Sequence, residues 1–419
     1  MNPRNSSGAA LAVAAATMVL ACGVAHARAT INIINADDPG VGFNDPTPAA
    51  PVGGNGGVTI GEQRLNVFQL AASRWGGILT SNVIIDVLAS FAPLDCNSGS
   101  AVLGTAGPLT RHANFSGAAI SDTWYPQALA NAIARSDQSG SEDMLAFFNG
   151  DLDNNNSCLN GRNWYYGLDN QPPGNDIDFL NTIMHELAHG LGFVGFVDLD
   201  TGQYTGSPAL PDLFAINTYD NDLGLYWDQM TPAQRAASAV NNGDVVWRGA
   251  NVTAIAGEIL NDGLVGPYVE LHTPTQLRVG SSVYHFGEPV APNALMEPTL
   301  RSDLTAATDV DLTAAFMADI GWTIDDGDTD LVPDINDNCS DDINPAQRDT
   351  DADFYGNLCD ADLNNDLVIN FADLGIMKSR FFTTDPDADL DGDGLVNFTD
   401  LGLIKAAFFG APGPSGLAD

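Results

Sequence analysis

Apolar residues recur along this chain at two spacings, and each spacing predicts a different kind of element. Between Glu62 and Leu79 they fall at Leu65, Phe68, Leu70, Ala71 and Trp75, one face of a helix. Val83–Phe91 (VIIDVLASF) is rich in β-branched residues and predicts a strand, as do the shorter Thr30–Ile34, Ala101–Leu103 and Met144–Phe148. Trp124–Arg135 predicts a second helix. Asp178–Phe193, DFLNTIMHELAHGLGF, predicts a third: Ile177, Leu180, Met184, Leu187, Ala188 and Leu191 form a stripe, Asp178 stands as N-cap, and Gly190 and Gly192 supply a stop. Thr231–Ala239 reads as a helix opened by Thr231 and Pro232, and Leu312–Trp322 as an apolar closing helix. Asn251–Leu260 and Tyr268–Leu271 fit either helix or strand. Residues 28–61, rich in Gly, Pro, Asn and Asp around one short strand, read as a loosely ordered leader, and Asn149–Asn163 as a polar loop. The order helix, strand, strand, helix predicts a mixed α/β unit.

Composition divides the chain. Its 419 residues carry a net charge of −39, and residues 325–419 hold 22 of the 54 acidic side chains but only 4 of the 15 basic ones. That balance argues against nucleic acid or an anionic membrane as partner and suits cation binding by the C-terminal part. At the other end, Arg4, the apolar stretch Ala9–Val24 and the Ala25-His26-Ala27 site read as a secretory signal, so the mature chain is expected to be secreted. Cys22, after Val19-Leu20-Ala21, makes a poor lipidation site and leaves with the signal. Four cysteines remain; closeness in sequence and the domain boundary favour Cys96–Cys158 and Cys339–Cys359 among the three pairings. No later run is apolar and long enough to span a membrane.

From Asp325 onward, oxygen-bearing residues recur at fixed offsets in four windows. They are Asp326/Asp328/Asp330/Asp334/Asp337, Asp349/Asp351/Asp353/Asn357/Asp360, Asp362/Asn364/Asp366/Asn370/Asp373 and Asp389/Asp391/Asp393/Asn397/Asp400. Ligands at positions 1, 3, 5, 9 and 12 can wrap a Ca²⁺ in a loop of this length, so two to four structural Ca²⁺ are expected. Position 6 is Gly only in the last window, at Gly394. The last two windows sit in a 27-residue repeat: Asn370–Phe382 and Asn397–Phe409 are identical at 8 of 13 positions, each loop leading into a helix.

The densest chemistry is HELAH. His185 and His189, four apart, share one helix face and can hold one Zn²⁺, with Glu186 placed to act as general base on water. A catalytic zinc needs a third protein ligand. The compact pattern HExxHxxGxxH keeps its glycine at Gly192, but position 195 is Gly195 rather than His. His285 is favoured over His272, Glu258, Glu270 and Asp198, because it opens HFGEPVAPNALMEP, where Met296 lies in a tight turn. His112 has no partner pattern, and His272 reads as a surface or strand-end histidine.

Taken together, His185, Glu186, His189, Gly192, Phe193, His285, Leu295, Met296 and Pro298 resemble the catalytic core of leishmanolysin-like metzincin metallopeptidases, secreted bacterial relatives in particular. The resemblance implies a metzincin-like α/β peptidase domain over residues 28–324, with Met296 as the methionine turn and Leu312–Trp322 as the closing helix. The domain has far fewer cysteines than eukaryotic members, and the insertion between His189 and His285 shows no sign of a separate module. Residues 325–361 resemble thrombospondin type 3 repeats, which implies a Cys339–Cys359 bridge there. Residues 362–409 resemble a type I dockerin, which implies either a cohesin-like partner or, without one, a calcium-stiffened spacer; residues 410–419 read as a flexible tail. The expectation is therefore a secreted zinc endopeptidase acting on protein or peptide. The rival is a non-enzymatic, calcium-dependent adhesion or matrix protein with a structural HELAH helix.

Overall fold

The computed structural model describes residues 27–153, 155–299, 304 and 311–418. The signal segment and Cys22 lie outside the described residues. The chain is mixed α/β. Its first sheet has four strands: β1 (Ile31–Asn35), β2 (Ile85–Ala92), β3 (Gly104–Pro108) and β4 (Met144–Asn149), in the order β1-β2-β4-β3. β1, β2 and β4 run parallel, and β3 lies antiparallel to β4 at the edge. Helix α1 (Ile60–Ile78) begins with a capping box in which the Glu62 amide donates to Thr59 Oγ1 and the Thr59 amide to Glu62 Oε2, a contribution of about 1 kcal/mol. Helix α2 (Gln127–Ala134) starts later than its apolar pattern implies, because Tyr125–Pro126 pairs as extended chain with Arg111–His112.

Helix α3 (Phe179–Leu191) carries HELAH through the middle of the molecule. The Asp178 carboxylate accepts from the Asn181 amide at 3.0 Å and caps its start. Two buried indoles donate to it: Trp75 of α1 to the Met184 carbonyl and Trp322 to the Leu191 carbonyl, both at 3.0 Å. The second satisfies an end carbonyl that has no partner within its helix. Under the first turn, Phe179 meets Phe91, Phe148, Trp164 and Tyr166 at ring separations of 5.0–5.5 Å. Gly190 sits so close to Met144 of β4 that an added Cβ would lie 2.3 Å from the sulfur. Gly192 ends the helix at φ +144°, against Ile320.

The rest of the first domain supplies a second, five-stranded antiparallel sheet. Its strands are β5 (Thr218–Asp220), β6 (Leu225–Tyr226), β7 (Val245–Trp247), β8 (Leu264–Val265) and β9 (Tyr268–Glu270), ordered β6-β5-β7-β9-β8. Around it lie α4 (Leu213–Asn217), α5 (Pro232–Ser238), α6 (Ala250–Ile259) and α7 (Leu312–Ile320). Phe193, just past α3, stacks on Phe316 of α7 at 4.0 Å, and Phe214, Trp247 and Phe286 close around the pair. Both sheets feed one continuous apolar core, so the stretch between His189 and His285 is built into the domain.

Two expectations fail here, and one left open is settled. The loosely ordered leader is part of the fold: β1 pairs along β2, Phe43 is buried, and buried Asn55 donates to the Gln63 and Tyr166 carbonyls. The strand placed at Ala101–Leu103 lies further on, at Gly104–Pro108, because backbone pairing with β4 overrides the poor strand propensity of GTAGP. Asn251–Leu260 resolves as helix and Tyr268–Leu271 as strand.

Both expected disulfides form, Cys96–Cys158 and Cys339–Cys359. The repeats carry α8 (Phe371–Arg380) and α9 (Phe398–Ala406), each entered through an Asn-Asp capping box, around a small core of Ile369, Met377, Val396 and Ile404. Residues 410–418 hold no regular element, yet they are tied down: Gly416 donates to the Asp337 carbonyl, Gly413 to that of Cys359, and Ser415 Oγ to that of Phe354. No helix among the described residues is long and apolar enough to cross a membrane.

Candidate metal centre

The helix places the His185 and His189 imidazoles side by side, and the third comes from the second sheet. β9 runs on to His272, whose amide donates to the His285 carbonyl at 2.9 Å; the Phe286 amide in turn donates to the Met296 carbonyl at 2.8 Å. His285 is thus held between the end of a strand and the Met296 turn. The result is a triangle of Nε2 atoms: His185–His189 3.1 Å, His185–His285 3.2 Å and His189–His285 3.2 Å.

The opposite nitrogen of each ring explains what this triangle is. His185 Nδ1 lies 2.7 Å from the Leu295 carbonyl, His189 Nδ1 2.7 Å from that of Phe193, and His285 Nδ1 2.9 Å from that of Ser281. A carbonyl only accepts, so each Nδ1 carries the proton and each Nε2 presents a lone pair. Three lone pairs cannot hydrogen-bond to one another. They can share a cation: a tetrahedral ion at the usual bond length would hold three imidazole nitrogens roughly 3.3 Å apart. Burial keeps the rings neutral, lowering His185 to about 4 and His189 to about 3, and His285 lies well below its ordinary value for the same reason. His285 is 3 % exposed, whereas the two helix histidines keep partial access to solvent. The donor set therefore fits Zn²⁺ with an open position.

Glu186 is 6 % exposed, and burial pushes its carboxyl up to about 8, only partly offset by a hydrogen bond from the Ala106 amide. Its other neighbour on β3 is Gly104, where an added Cβ would meet Glu186 Cγ at 2.8 Å and Oε1 at 2.9 Å. Neither residue was singled out by the sequence pattern, because GTAGP looks like loop; a glycine in an edge strand is the one signal that pointed to a close approach.

Position 195 has a physical explanation. A Cβ on Gly195 would lie 2.3 Å from the ring of Tyr284, the residue before His285, so position 195 has no room for a side chain while Tyr284 stands there. Val283 takes φ +70° where the chain turns back, a conformation a β-branched residue adopts at a cost of about 1–3 kcal/mol. Met296 is fully buried, and its turn orients His185 through the Leu295 carbonyl. The other ligand choices do not join the histidine group: Glu258 and Asp198 are exposed, and Glu270 packs on Gly287. His272 is at a strand end as expected, but it is buried at 5 % exposure, not on the surface, because it lies under the His285 segment. His112 bonds Thr110 Oγ1 at 3.0 Å.

In the acidic repeats, carboxylates converge in three windows: Asp326, Asp328 and Asp330; Asp349, Asp351 and Asp353; and Asp389, Asp391 and Asp400. In the window that starts at Asp362, Asn364 Nδ2 donates to Asp373 Oδ1 at 2.7 Å instead. All four loops share one backbone form. Positions 4 and 6 take positive φ in each, at Thr329 and Leu331, Ala352 and Phe354, Asn365 and Leu367, and Gly392 and Gly394. Position 6 thus keeps its sharp turn even where the residue is Leu or Phe.

The other expected calcium ligands lie outside these carboxylate groups and hold local hydrogen bonds. Asn357 serves as a tie between segments: its Oδ1 accepts from the Thr350 amide, and its Nδ2 donates to Thr350 Oγ1 and to the Pro386 carbonyl, each at 2.9 Å. Asp366 is exposed, and its Oδ1 accepts from the Val368 amide at 3.1 Å. Asp393 is exposed too; its Oδ1 accepts from the Leu395 amide and its Oδ2 from Asn397 Nδ2, both at 2.9 Å. Asn370 and Asn397 cap α8 and α9, accepting from the Ala372 and Thr399 amides at 2.8 Å. Asp334 accepts from the Gly327 amide, Asp360 from that of Asp362, and Asp362 from that of Asp366. Such local bonds are common to the whole repeat region, because a short Asp or Asn side chain finds a donor a few residues away; the converging carboxylates make them too, Asp330 with the Val332 amide and Asp353 with that of Tyr355.

Comparison with protein-family models, with curated proteins and with solved structures gives no match for this chain.

Proposed function

We propose that this chain is a secreted zinc endopeptidase of the metzincin type, similar to leishmanolysin-like peptidases, that hydrolyses peptide bonds in proteins or peptides. The observation that carries the reading is the triangle of neutral Nε2 lone pairs at His185, His189 and His285, each ring oriented by a backbone carbonyl. The zinc these residues would hold supplies Lewis-acid activation of water and of the scissile carbonyl. Glu186 receives the proton of the attacking water and delivers it to the leaving nitrogen. A carboxyl at about 8 holds a proton well, and a neighbouring divalent charge draws it down toward a general base's working range. β3 is an edge strand with its Gly104 and Ala106 against Glu186, so an extended peptide can pair along it and present its backbone to the site. The acidic windows are read as structural calcium loops, thrombospondin type 3-like and then dockerin-like, the paired repeat serving either as a calcium-stiffened spacer or as the docking module for a cohesin-like partner.

Glu186→Gln should keep one zinc per chain and lose peptide hydrolysis, while His285→Ala should lose the zinc. Hydrolysis surviving in purified Glu186→Gln protein would sink the proposal.

A further inference from the structure

The first acidic loop differs from the others in what it touches. Its flank closes on the end of α1: the Asp325 amide donates to the Ile78 carbonyl at 2.9 Å, the Thr80 amide to that of Thr323 at 3.0 Å, and Leu79 bridges Ile324. Arg28, near the start of the described chain, donates to the Asp325 carboxylate at 2.6 Å, and the Asp334 amide donates to the Asp325 carbonyl. Within the loop, Leu331 and Ile335 pack on the core of the first domain, with Ile335 against Gly77 so closely that a Cβ there would be 2.7 Å from its methyl. One turn back, Trp75 donates to the carbonyl of Met184, the neighbour of His185.

The cation-binding side of the loop is built, not merely acidic. Asp326, Asp328 and Asp330 converge. Asp337 is fully buried; its Oδ1 accepts from the Cys339 amide and from Gln347 Nε2, while its Oδ2 is buried without a partner. Asp328 Oδ2 is likewise buried and unpartnered. An unpartnered buried carboxylate oxygen beside other carboxylates is a place where a cation supplies the missing partner.

We propose that the Asp326–Asp337 loop is a Ca²⁺ site of the peptidase domain itself, and that Ca²⁺ there holds the last turn of α1 against the zinc-motif helix. It rests on the calcium reading above, not on peptide hydrolysis. Calcium supply thereby sets how firmly His185 is supported from behind. The loops at Asp349, Asp362 and Asp389 lack this connection and serve the repeats.

Hydrogen exchange on the full-length, zinc-loaded chain tests this, with calcium withdrawn and then restored. If opening of the α1 end requires release of the ion, calcium at 100 times its dissociation constant slows exchange of residues 76–80 and 321–325 about 100-fold. Asp400→Asn, in the fourth loop, should keep that protection. Asp337→Asn, which retains both Oδ1 acceptor bonds, should lose one bound Ca²⁺ and the protection with it. Protection that ignores calcium in the wild-type chain overturns the inference even if Asp337→Asn fails to fold. Calcium counting separates the two failures: no bound Ca²⁺ removes the loop reading, whereas bound Ca²⁺ without protection removes only the coupling.

Discussion

Gly104→Ala isolates the contact between β3 and the Glu186 carboxylate, the proposed general base. The new Cβ would stand 2.8 Å from Cγ, 2.9 Å from Oε1 and 3.0 Å from Cδ of Glu186, and ordinary contact begins at 3.4 Å. The carboxylate must retreat by roughly 0.5–1 Å, a displacement that costs up to about 100-fold in rate, or about 2.7 kcal/mol. The zinc triangle is untouched, since each histidine is oriented by a carbonyl outside β3. Overpacking should also cost about 1–3 kcal/mol of stability. Gly107→Ala is the control: it lies on the same strand, and its added Cβ meets nothing within 4 Å. The assay is kcat on an unstructured protein or a quenched peptide, with zinc content and unfolding midpoint measured on the same samples. Gly104→Ala should lose kcat roughly 10- to 100-fold at full zinc, and Gly107→Ala should match wild type. A wild-type rate in Gly104→Ala, or an equal loss in both, refutes the placement of Glu186 by β3.

Other outcomes follow from the same geometry. In zinc-free protein, the three histidines titrate below their ordinary value, His185 at about 4 and His189 at about 3, so the unfolded chain binds more protons in that window. Stability is then complete above about pH 6.5 and is lost as pH falls toward 4 to 3, by at most about 1.4 kcal/mol per pH unit for each histidine. The loss is smaller for the two that water partly reaches, and urea unfolding across this range with and without zinc should show zinc shifting the acid transition lower. Gly192→Ala places a Cβ at φ +144° and 2.4 Å from Ile320, and should destabilise the domain by several kcal/mol in thermal unfolding, roughly the sum of strain and overpacking. Replacing Cys339 and Cys359 by Ser opens a bridge of sequence separation 20, which should cost the repeats about 3 kcal/mol while leaving zinc stoichiometry at one.

The metal helix is readable in the sequence because cap, stripe, ligands and glycine stop coincide within Asp178–Phe193. His285 was reachable only through its neighbour Met296, and the two segments do lie against each other through the Phe286–Met296 bond. What escaped was held by pairing rather than by propensity. β3 is a Gly-Thr-Ala-Gly-Pro strand that exists because β4 pairs with it. The strands of the second sheet are two or three residues long, too short for any period to register. β1 was legible as the strand Thr30–Ile34, but the turn-forming residues around it gave no sign that, once folded, they serve the sheet and the start of α1. In the acidic windows, spacing located the loops but could not say which oxygens turn inward: Asp353 joins its neighbours and Asp366 and Asp393, at the same position, do not, although all three accept from the amide two residues on.

The crowding of Gly195 by Tyr284 constrains how such a site can change over generations. A histidine arriving at 195 would meet the Tyr284 ring before it could reach the ion. A smaller residue at 284 would leave a gap beside His285 while 195 is still glycine. Each single step is unfavourable, and only the pair is tolerable. The two ways of supplying the third corner, one turn after the helix or a long detour through a second sheet, are therefore separated by an epistatic barrier.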